Sequence, residues 1–260
     1  MLDAASLEAA VREAGIDVPT RFVRSTGSTN TDLVGLAAAG APEWTVVAAG
    51  EQTSGRGRLG RSWVAPPDTS LAMSVLLRPS VDAADVPVLA LAAGAAMAEA
   101  CRAVTALDVR CKWPNDLVIR DRKLGGILCE AAVQGGRTVH VAVGIGVNVR
   151  QRPPDFAPEL RGTATSLALE GAEPAGASLV ANFLSTFRDV LSQPPERLRA
   201  GVLERYRPVC DSIGRRVRVT TTSGASVEGE AVGVSERGDL LVRAGDRVER
   251  VGFGEVEHLR

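Results

Sequence analysis

The amino-acid sequence predicts a mixed α/β domain over residues 1–212, followed by a small all-β barrel domain over residues 213–260. In the first region, apolar residues at helical spacing alternate with short β-rich runs, which is typical of a mixed sheet covered by helices. In the second, valines and leucines recur between glycine-containing turns, which indicates about five short strands. A chain of 260 residues with 45% apolar content can bury a core in this arrangement.

Local patterns predict the elements of the first half in order. Leu7, Ala10 and Val11 share one helical face, and Gly15 ends that helix. A second helix is expected from Ser28 to Gly40, at a strand-to-helix turn where hydroxyls and amides converge. Strands are predicted at 21–25, 45–49 and 70–77.

The remainder of the first domain alternates in the same way. A long alanine-rich helix is expected at 86–104, with Pro87 in its first turn. An amphipathic helix is expected around 179–191, another helix at 195–207, and a surface loop at 150–162. Further strands are predicted at 109–112, 117–119, 126–133 and 138–147, with a glycine hairpin turn before the last of them. In the second domain, the valines and leucines expected to recur along the strands are Val217, Val219, Val227, Val232, Val234, Leu240, Val242 and Val248.

Charge and composition exclude several classes of protein. The formal net charge is −1, so no overall field attracts nucleic acid or anionic lipid. The longest apolar run, 86–98, is shorter than the roughly 20 residues of a membrane span, and the N-terminus lacks the pattern of a signal peptide. We therefore expect neither a nucleic-acid nor a membrane partner.

The four cysteines have no C-x-x-C spacing, which favours a reducing compartment. The sequence therefore predicts a cytoplasmic protein. We expect a monomer or a weak homodimer, although the edge strands that decide this cannot be placed from the sequence.

The segment GEQTSGRGRLGRSW at 50–63 contains a G-x-G-x-x-G pattern. It is not a dinucleotide fingerprint, because two prolines follow where a helix must continue. Arg56-Gly57 stands where a P-loop needs Lys-Ser/Thr, and Ser62 stands where a kinase loop needs Val. A flexible loop remains, whose glycine amides and guanidinium groups suit phosphate or carboxylate. The alternatives are a solvated surface loop or an RNA tether.

A second polar group lies in KWPNDL at 112–117, followed by DRKLGGIL at 121–128. Pro114 and Asn115 interrupt a strand, so the side chains of Lys112, Asn115 and Asp116 should cluster where a sheet edge turns. A purely structural turn is the alternative.

These motifs, in the order G-R-G-R-x-G-R-x-W, K-W-P-N-D-L, D-R-K-L-G-G-I-L and G-I-G-V-N-V, resemble the catalytic domain of biotin protein ligases. The strong part of the resemblance covers about residues 25–148. It implies a mixed-sheet biotin/lipoate-ligase-like catalytic domain and a small SH3-like C-terminal β-barrel domain. It implies ATP-dependent ligation of biotin to a lysine of a biotin carboxyl carrier domain of acyl-CoA carboxylases, through biotinyl-5′-AMP with release of pyrophosphate and then AMP. The implied substrates are biotin and ATP with Mg²⁺, and no tightly bound cofactor is implied.

The resemblance also implies roles for individual residues. Biotin's carboxylate must approach the α-phosphate of ATP, so cations are needed between two anions. Catalysis is expected from Lys123, Arg56 and Arg58. Biotin is expected to contact Ser28, Thr29, Asn30, Gln52, Arg56, Gly57, Arg58, Lys123 and Gly126. ATP or the adenylate is expected to contact Arg58, Trp63, Lys112, Asn115, Asp116, Lys123 and Asn148, and Asp116 is the candidate Mg²⁺ ligand.

Some of these residues have structural alternatives. Ser28 and Thr29 suit a helix cap as well as a urea-like ring, and Trp63 suits a core position as well as a ligand contact. Only about 20 residues precede the first strand, so we expect a ligase without the N-terminal DNA-binding domain that some relatives carry. The rival functions are a lipoate or octanoate transferase of the same broad fold and a non-enzymatic small-molecule binder.

Overall fold

A computed structural model describes residues 2–79, 81–221 and 224–259. Its helices are α1 Ala4–Glu13, α2 Thr29–Ala38, α3 Val86–Thr105, α4 Gly176–Leu191 and α5 Pro195–Val209. Its first nine strands are β1 Thr20–Val23, β2 Val46–Ala49, β3 Gln52–Arg56, β4 Ser62–Ala65, β5 Ser70–Leu77, β6 Arg110–Lys112, β7 Asp116–Ile119, β8 Arg122–Gln134 and β9 Arg137–Asn148. The remaining strands are β10 Arg216–Thr220, β11 Ser226–Val234, β12 Leu240–Ala244, β13 Arg247–Val251 and β14 Glu255–His258. The predicted mixed α/β fold class is confirmed.

The central sheet has seven strands in the order β1-β2-β5-β9-β8-β7-β6. β1 and β2 are parallel, and the other neighbours are antiparallel. Strands β8 and β9 form one long hairpin, whose turn uses the positive φ of Gly135 and Gly136. Glycine adopts this conformation at no steric cost, and the sequence predicted a turn there.

Both faces of the central sheet are covered, so β5 is buried from Leu71 to Leu77. Leu71, Met73 and Val75 pack into the large core on the side of α1, α3, α4 and α5. Leu76 packs on the opposite face, together with Leu33 of α2. Because side chains alternate between the faces of a strand, the alternate residues of β8 and β9 face the same side as α2. The candidate site lies on this second face.

Helix α3 is the central helix of the larger core. Together with the preceding turn, α3 is the one helix among the described residues that is long and apolar enough to cross a bilayer. Of its apolar 18-residue stretch, 67% is buried. Its small side chains, such as Ala92 and Ala96, are fully buried and allow α4 and α5 to pack closely against it. This pattern is that of a core helix.

The C-terminal strands form a five-stranded antiparallel sheet in the order β13-β12-β11-β10-β14. Its interior contains Val217, Val219, Ala231, Val234, Leu240 and Val242. Ala231 is buried, whereas the predicted Val232 is only partly buried, because the register shifts between Ala231 and Gly233. Val248, which also belongs to the valines expected to recur along the strands, is 53% exposed. A bulge changes which residues face inward, and spacing alone does not reveal it.

Trp113 joins the two sheets. Its side chain is 2% exposed, and its indole Nε1 donates to the carbonyl oxygen of Gly238 at 2.8 Å. Its backbone N–H donates to Ser212 Oγ at 3.1 Å. The tryptophan of the K-W-P-N-D motif therefore holds the β6–β7 turn against the C-terminal sheet.

Candidate active site

One cleft of about 530 Å³ lies on the α2 face of the central sheet. The β3–β4 hairpin, the β6–β7 turn and the segment at residues 254–256 surround it. All fourteen residues that the sequence singled out line this cleft: Ser28, Thr29, Asn30, Gln52, Arg56, Gly57, Arg58, Trp63, Lys112, Asn115, Asp116, Lys123, Gly126 and Asn148. The fold thus brings together segments more than one hundred residues apart, while their individual roles stay predictions.

The segment at 50–63 differs from the flexible loop that its glycines predicted. It forms the antiparallel hairpin β3–β4, closed by a tight turn in which Leu59 and Gly60 have φ of 57° and 74°. At Gly55, a Cβ would lie 2.4 Å from the Trp63 carbonyl oxygen, so no larger residue fits there without a shift. The glycines therefore allow the two strands of a hairpin to approach closely.

The N-terminus of α2 forms the closed end of the cleft. Thr29 donates its backbone N–H to Gln52 Oε1 at 2.8 Å, and its hydroxyl lies 3.0 Å from the same oxygen. Ser28 occupies the N-cap position, but its side chain makes no capping hydrogen bond. The capping alternative is therefore wrong for Ser28, whose hydroxyl lines the cleft.

Asn30 is hydrogen-bonded on both sides of its amide. Its Nδ2 donates to Glu130 Oε2 at 2.7 Å and to the Leu128 carbonyl oxygen at 3.2 Å. Its Oδ1 lies 2.6 Å from Ser74 Oγ, which is 2.7 Å from Thr29 Oγ1. This chain of polar groups is largely buried. Both the NH₂ group and the carbonyl oxygen of the Asn30 amide are therefore already hydrogen-bonded within the protein.

The two hairpin arginines, expected to act together, have different partners. Arg56 forms an ion pair with Glu130 at 2.7 Å. Arg58 donates to Asn115 Oδ1 at 3.3 Å and to the Gly254 carbonyl oxygen at 3.4 Å. Burial lowers the pKa of Arg58, although the guanidinium remains charged. Arg56 thus ties the hairpin to β8, and Arg58 ties it to the β6–β7 turn and the C-terminal sheet.

The chain contains two lysines, Lys112 and Lys123, and both line the cleft. Lys123 Nζ lies 2.7 Å from Asp116 Oδ1 and 6.0 Å from the Trp63 ring centroid. Burial lowers the pKa of Lys112. This ion pair keeps the Lys123 ammonium in the cleft. Its partner, Asp116, is the residue predicted from the sequence as a metal ligand.

Glycines of β9 form the floor of the cleft. A Cβ at Gly144 would lie 2.5 Å from Asn30 Oδ1, and one at Gly146 would lie 2.7 Å from the Trp63 ring. Trp63 is partly exposed and lies on Gly146, so it is not the core tryptophan of the alternative interpretation. These glycines give room to protein side chains that shape the cleft.

Replacing Gly146 with alanine is expected to push Trp63 and the hairpin away from the floor. Cβ would approach three atoms of the indole ring within 2.9 Å, and such overpacking costs about 1–3 kcal/mol. Denaturant unfolding should show the lower stability, and titration calorimetry should show weaker binding of ATP, the nucleotide implied by the resemblance. Gly35→Ala is the matched control, because a Cβ at this exposed position of α2 meets nothing within 4 Å. Equal ATP affinity in Gly146→Ala and Gly35→Ala would contradict the packing role.

Asn148 lines the cleft but is buried, with 5% of its surface exposed. Its Nδ2 donates to the Thr165 carbonyl oxygen at 2.9 Å, and its Oδ1 accepts from Gln151 Nε2 at 2.9 Å. A direct ligand contact by this amide therefore requires one of these partners to be exchanged.

Asp121, Asp211 and His258 meet at the junction of the two sheets, close enough in principle to hold a cation. Arg215 already pairs with Asp121 at 2.8 Å and with Asp211 at 2.9 Å. His258 Nδ1 lies 3.3 Å from Asp121 Oδ1, and its Nε2 lies 3.0 Å from Ser212 Oγ. The Arg215 guanidinium already supplies the positive charge between these two carboxylates. The cluster is therefore a polar junction between the two domains.

The junction should make stability depend on pH. Burial, followed by the nearby Lys112 ammonium, lowers the pKa of His258 below 6.5. The unfolded chain takes up this proton at a higher pH than the folded chain, so the free energy of unfolding should fall as the pH drops below about 6.5. Denaturant titrations from about pH 7.5 to pH 5.5 should show a shallower slope for His258→Gln, because glutamine does not titrate in this range. Gly35→Ala, which removes no titrating group, is the control that keeps this contribution, and identical slopes for wild type and His258→Gln would disprove it.

Sequence reasoning missed several residues in the cleft or beneath it. Ser74 is hidden within an apolar strand, and Glu130 lies in a β-rich run without a recognisable motif. Both are identified only by the alternation of faces along β5 and β8, which places them beneath α2. Gly254 and Glu255 come from the other domain, and no local signal connects them to the hairpin. Glu255 forms an ion pair with Arg61.

Comparison with known proteins finds consistent similarity. Residues 21–148 match the biotin/lipoate A/B protein ligase family, and residues 212–259 match the biotin protein ligase C terminal domain. The chain is 36% identical over 247 residues to a biotin--[acetyl-CoA-carboxylase] ligase of Mycobacterium tuberculosis, covering 92% of this chain and 88% of that protein. It is 32% identical over 230 residues to the bifunctional ligase/repressor BirA of Bacillus subtilis, covering 85% and 68%.

Two solved structures are also similar. The biotin protein ligase from Aquifex aeolicus in complex with biotin and ATP has a TM-score of 0.78 and 25% identity, covering 92% of this chain and 99% of that chain. The biotin protein ligase from Leishmania major in complex with biotinyl-5-AMP has a TM-score of 0.58 and 26% identity, covering 93% and 98%.

Proposed function

Since the chain belongs to the biotin protein ligase family and is a ligase enzyme, we propose that it attaches biotin to one lysine of a biotin carboxyl carrier domain of an acyl-CoA carboxylase. The reaction has two steps. Biotin's carboxylate attacks the α-phosphorus of ATP, which forms biotinyl-5′-AMP and releases pyrophosphate. The carrier's lysine amine then attacks the acyl carbon, loses a proton and releases AMP.

The observation that carries this proposal is the grouping of cations around one cleft with a polar closed end. Lys123 lies far along the chain from Arg56 and Arg58, and all three line this cleft. Preorganised cations of this kind offset the repulsion between a carboxylate and a triphosphate and stabilise the charge that develops at phosphorus. The hydroxyls and amides at the closed end suit a urea ring, which has two N–H donors and one carbonyl acceptor.

Magnesium enters this reaction with the nucleotide, as MgATP. Mg²⁺ keeps several waters and binds through one or two carboxylates together with phosphate oxygens. Asp116 fits this role, because its half-buried carboxylate lines the cleft beside Lys123. We propose that Asp116 contacts the metal directly or through water, while Lys123 turns to the phosphate.

The second step needs protection of a reactive mixed anhydride from water. The β3–β4 hairpin covers the cleft and is anchored at three points, by Arg56, Arg58 and Arg61. Holding the hairpin down excludes water from the intermediate until the carrier's amine arrives.

The direct test is incubation of an acetyl-CoA-carboxylase-type carrier domain with this protein, biotin and MgATP. Mass spectrometry should show one biotinyl group on one lysine of the carrier, together with formation of pyrophosphate and AMP. A carrier whose acceptor lysine is replaced by arginine is the control and should stay unmodified. An unmodified wild-type carrier, or ligation without pyrophosphate, would refute the proposal.

We also propose a cytoplasmic location and a monomeric or weakly dimeric state. The four cysteines are free thiols in the structure, and this supports a reducing compartment. Light scattering over a range of protein concentrations, with and without biotin and MgATP, tests the oligomeric state. A stable larger assembly would contradict it.

A further inference from the structure

Glu130 lies on β8, and its carboxylate contacts two residues of the cleft from beneath. It accepts from Asn30 Nδ2 at 2.7 Å and pairs with Arg56 at 2.7 Å. It is absent from the residues that line the cleft. Its influence on a bound ligand must therefore act through its neighbours.

The position of the carboxylate determines the direction of the hydrogen bonds above it. A carboxylate accepts only, so Asn30 must turn its NH₂ group toward Glu130 and its carbonyl oxygen toward Ser74. The Leu128 carbonyl oxygen, 3.2 Å from Asn30 Nδ2, favours the same orientation. Ser74 Oγ, 2.6 Å from an oxygen without hydrogen, must then donate its single proton to Asn30.

This direction leaves Thr29 as an acceptor. Ser74 has no second proton to give to Thr29, although their oxygens are 2.7 Å apart. The Thr29 hydroxyl donates its own proton to Ser74 Oγ or to Gln52 Oε1. Among the described residues, no other group donates a hydrogen bond to the Thr29 oxygen. Gln52 in turn accepts the Thr29 backbone N–H through Oε1, so its Nε2 donors remain available. The closed end thus presents one hydroxyl acceptor and one amide donor.

We propose that Glu130 is a positioning residue, which orients Asn30 and Ser74 so that Thr29 accepts an N–H and Gln52 donates to a carbonyl of a cyclic urea. This inference rests on the proposed function, because biotin supplies the urea ring. If Asn30 turned round, the Ser74 proton would point at Thr29 and occupy an acceptor that the ligand needs. Affinity for the urea ring therefore depends on a charge that does not touch it.

Glu130→Gln tests the proposal with little change of shape. A hydrogen bond to a charged acceptor stabilises more than one to a neutral acceptor, so we expect the Kd for biotin to rise about tenfold. The KM for ATP, measured by pyrophosphate release, should stay within about twofold, since the same bond does not reach the nucleotide end. Glu228→Gln is the matched control, because Glu228 makes exposed ion pairs with Arg216 and Arg218 on the C-terminal sheet.

A swapped pair separates hydrogen-bond direction from general damage. Asn30→Asp alone places two carboxylates where 2.7 Å now separates donor and acceptor, and should weaken biotin binding further than Glu130→Gln. In the double variant Asn30→Asp/Glu130→Gln, the new amide donates to the new carboxylate, whose other oxygen still accepts from Ser74. It should bind biotin more tightly than Asn30→Asp, with incomplete recovery because the Leu128 carbonyl then faces an acceptor.

The outcomes distinguish the two proposals. If the wild type neither binds biotin nor modifies the carrier, the proposed function fails. If the wild type is active and Glu130→Gln binds biotin with wild-type affinity, only the role of Glu130 fails. The same conclusion follows if the swapped pair binds no better than Asn30→Asp, or if ATP and biotin affinities fall equally in Glu130→Gln.

Discussion

Replacing Lys123 with methionine is expected to slow formation of biotinyl-AMP by about 10²–10³-fold, the range for removal of one preorganised donor at a site of developing charge. The ammonium lies 2.7 Å from Asp116 and is 40% exposed, so it can turn from this carboxylate to a phosphate. Its loss also leaves Asp116 without its cation, facing an anionic substrate. Both effects act on the chemical step.

The fold should tolerate this change, because the backbone of residue 123 carries the local structure. Its N–H donates to the Thr163 carbonyl oxygen at 2.7 Å, and its carbonyl oxygen accepts from the Thr165 N–H at 2.8 Å. Methionine keeps these bonds and most of the aliphatic stem. Single-turnover formation of biotinyl-AMP measures the step, with Arg137→Met as the control for loss of an exposed cation outside the cleft. A wild-type rate in Lys123→Met, at unchanged thermal stability, would remove Lys123 from the mechanism.

Replacing Arg58 with glycine is expected to release biotinyl-AMP into solution, where it modifies lysines of other proteins. Arg58 ties the hairpin to Asn115 and Gly254, and its guanidinium lies 5.9 Å from the Phe253 ring centroid. Glycine removes these contacts and loosens the turn beside Leu59 and Gly60. We expect adenylate escape to increase by about tenfold or more, as one charge-assisted anchor is worth about 1.5–3 kcal/mol.

The protein's own composition makes this escape easy to measure. Its two lysines both line the cleft, so apart from its N-terminal amine the enzyme offers few acceptors outside it. A lysine-rich bystander protein should therefore report most of the escaped adenylate. Arg237→Gly, at an exposed turn of the C-terminal sheet, is the matched control. Carrier-only labelling by Arg58→Gly, at the wild-type rate of adenylate release, would show that this anchor does not retain the intermediate.

The fold class could be predicted because each element carries its own local pattern. The spacing of Leu7, Ala10 and Val11 predicted α1, and the run SLAMSVLL at 70–77 predicted β5 with the bounds that the structure shows. The segment at 50–63 was predicted wrongly as a flexible loop, since glycine and arginine are also typical of disordered surface segments. What holds it as a hairpin is the packing of Trp63 on Gly146 of β9 and the ion pair of Arg56 with Glu130 of β8, which composition does not encode.

The candidate site could be predicted as a set of residues but not as an arrangement. The sequence motifs identified fourteen candidate residues. The enzyme class that these motifs implied is confirmed by the similarity to biotin protein ligases. Their partners were not predictable. Glu130, Ser74 and Gly254 join the set through strand register and domain packing, which depend on contacts between distant residues.

By itself, the sequence determined which chemical groups this protein has and, outside the segment at 50–63, in which elements they lie, because periodicity, turn residues and motif spacing act over a few neighbouring positions. Tertiary structure alone decided that Arg56 and Arg58 are held by different partners, that Asn30 is oriented by a carboxylate one hundred residues away, and that the C-terminal sheet reaches the hairpin. The physical reason is that direction and distance of hydrogen bonds and ion pairs depend on how separate segments pack, and a linear sequence contains no distances between them.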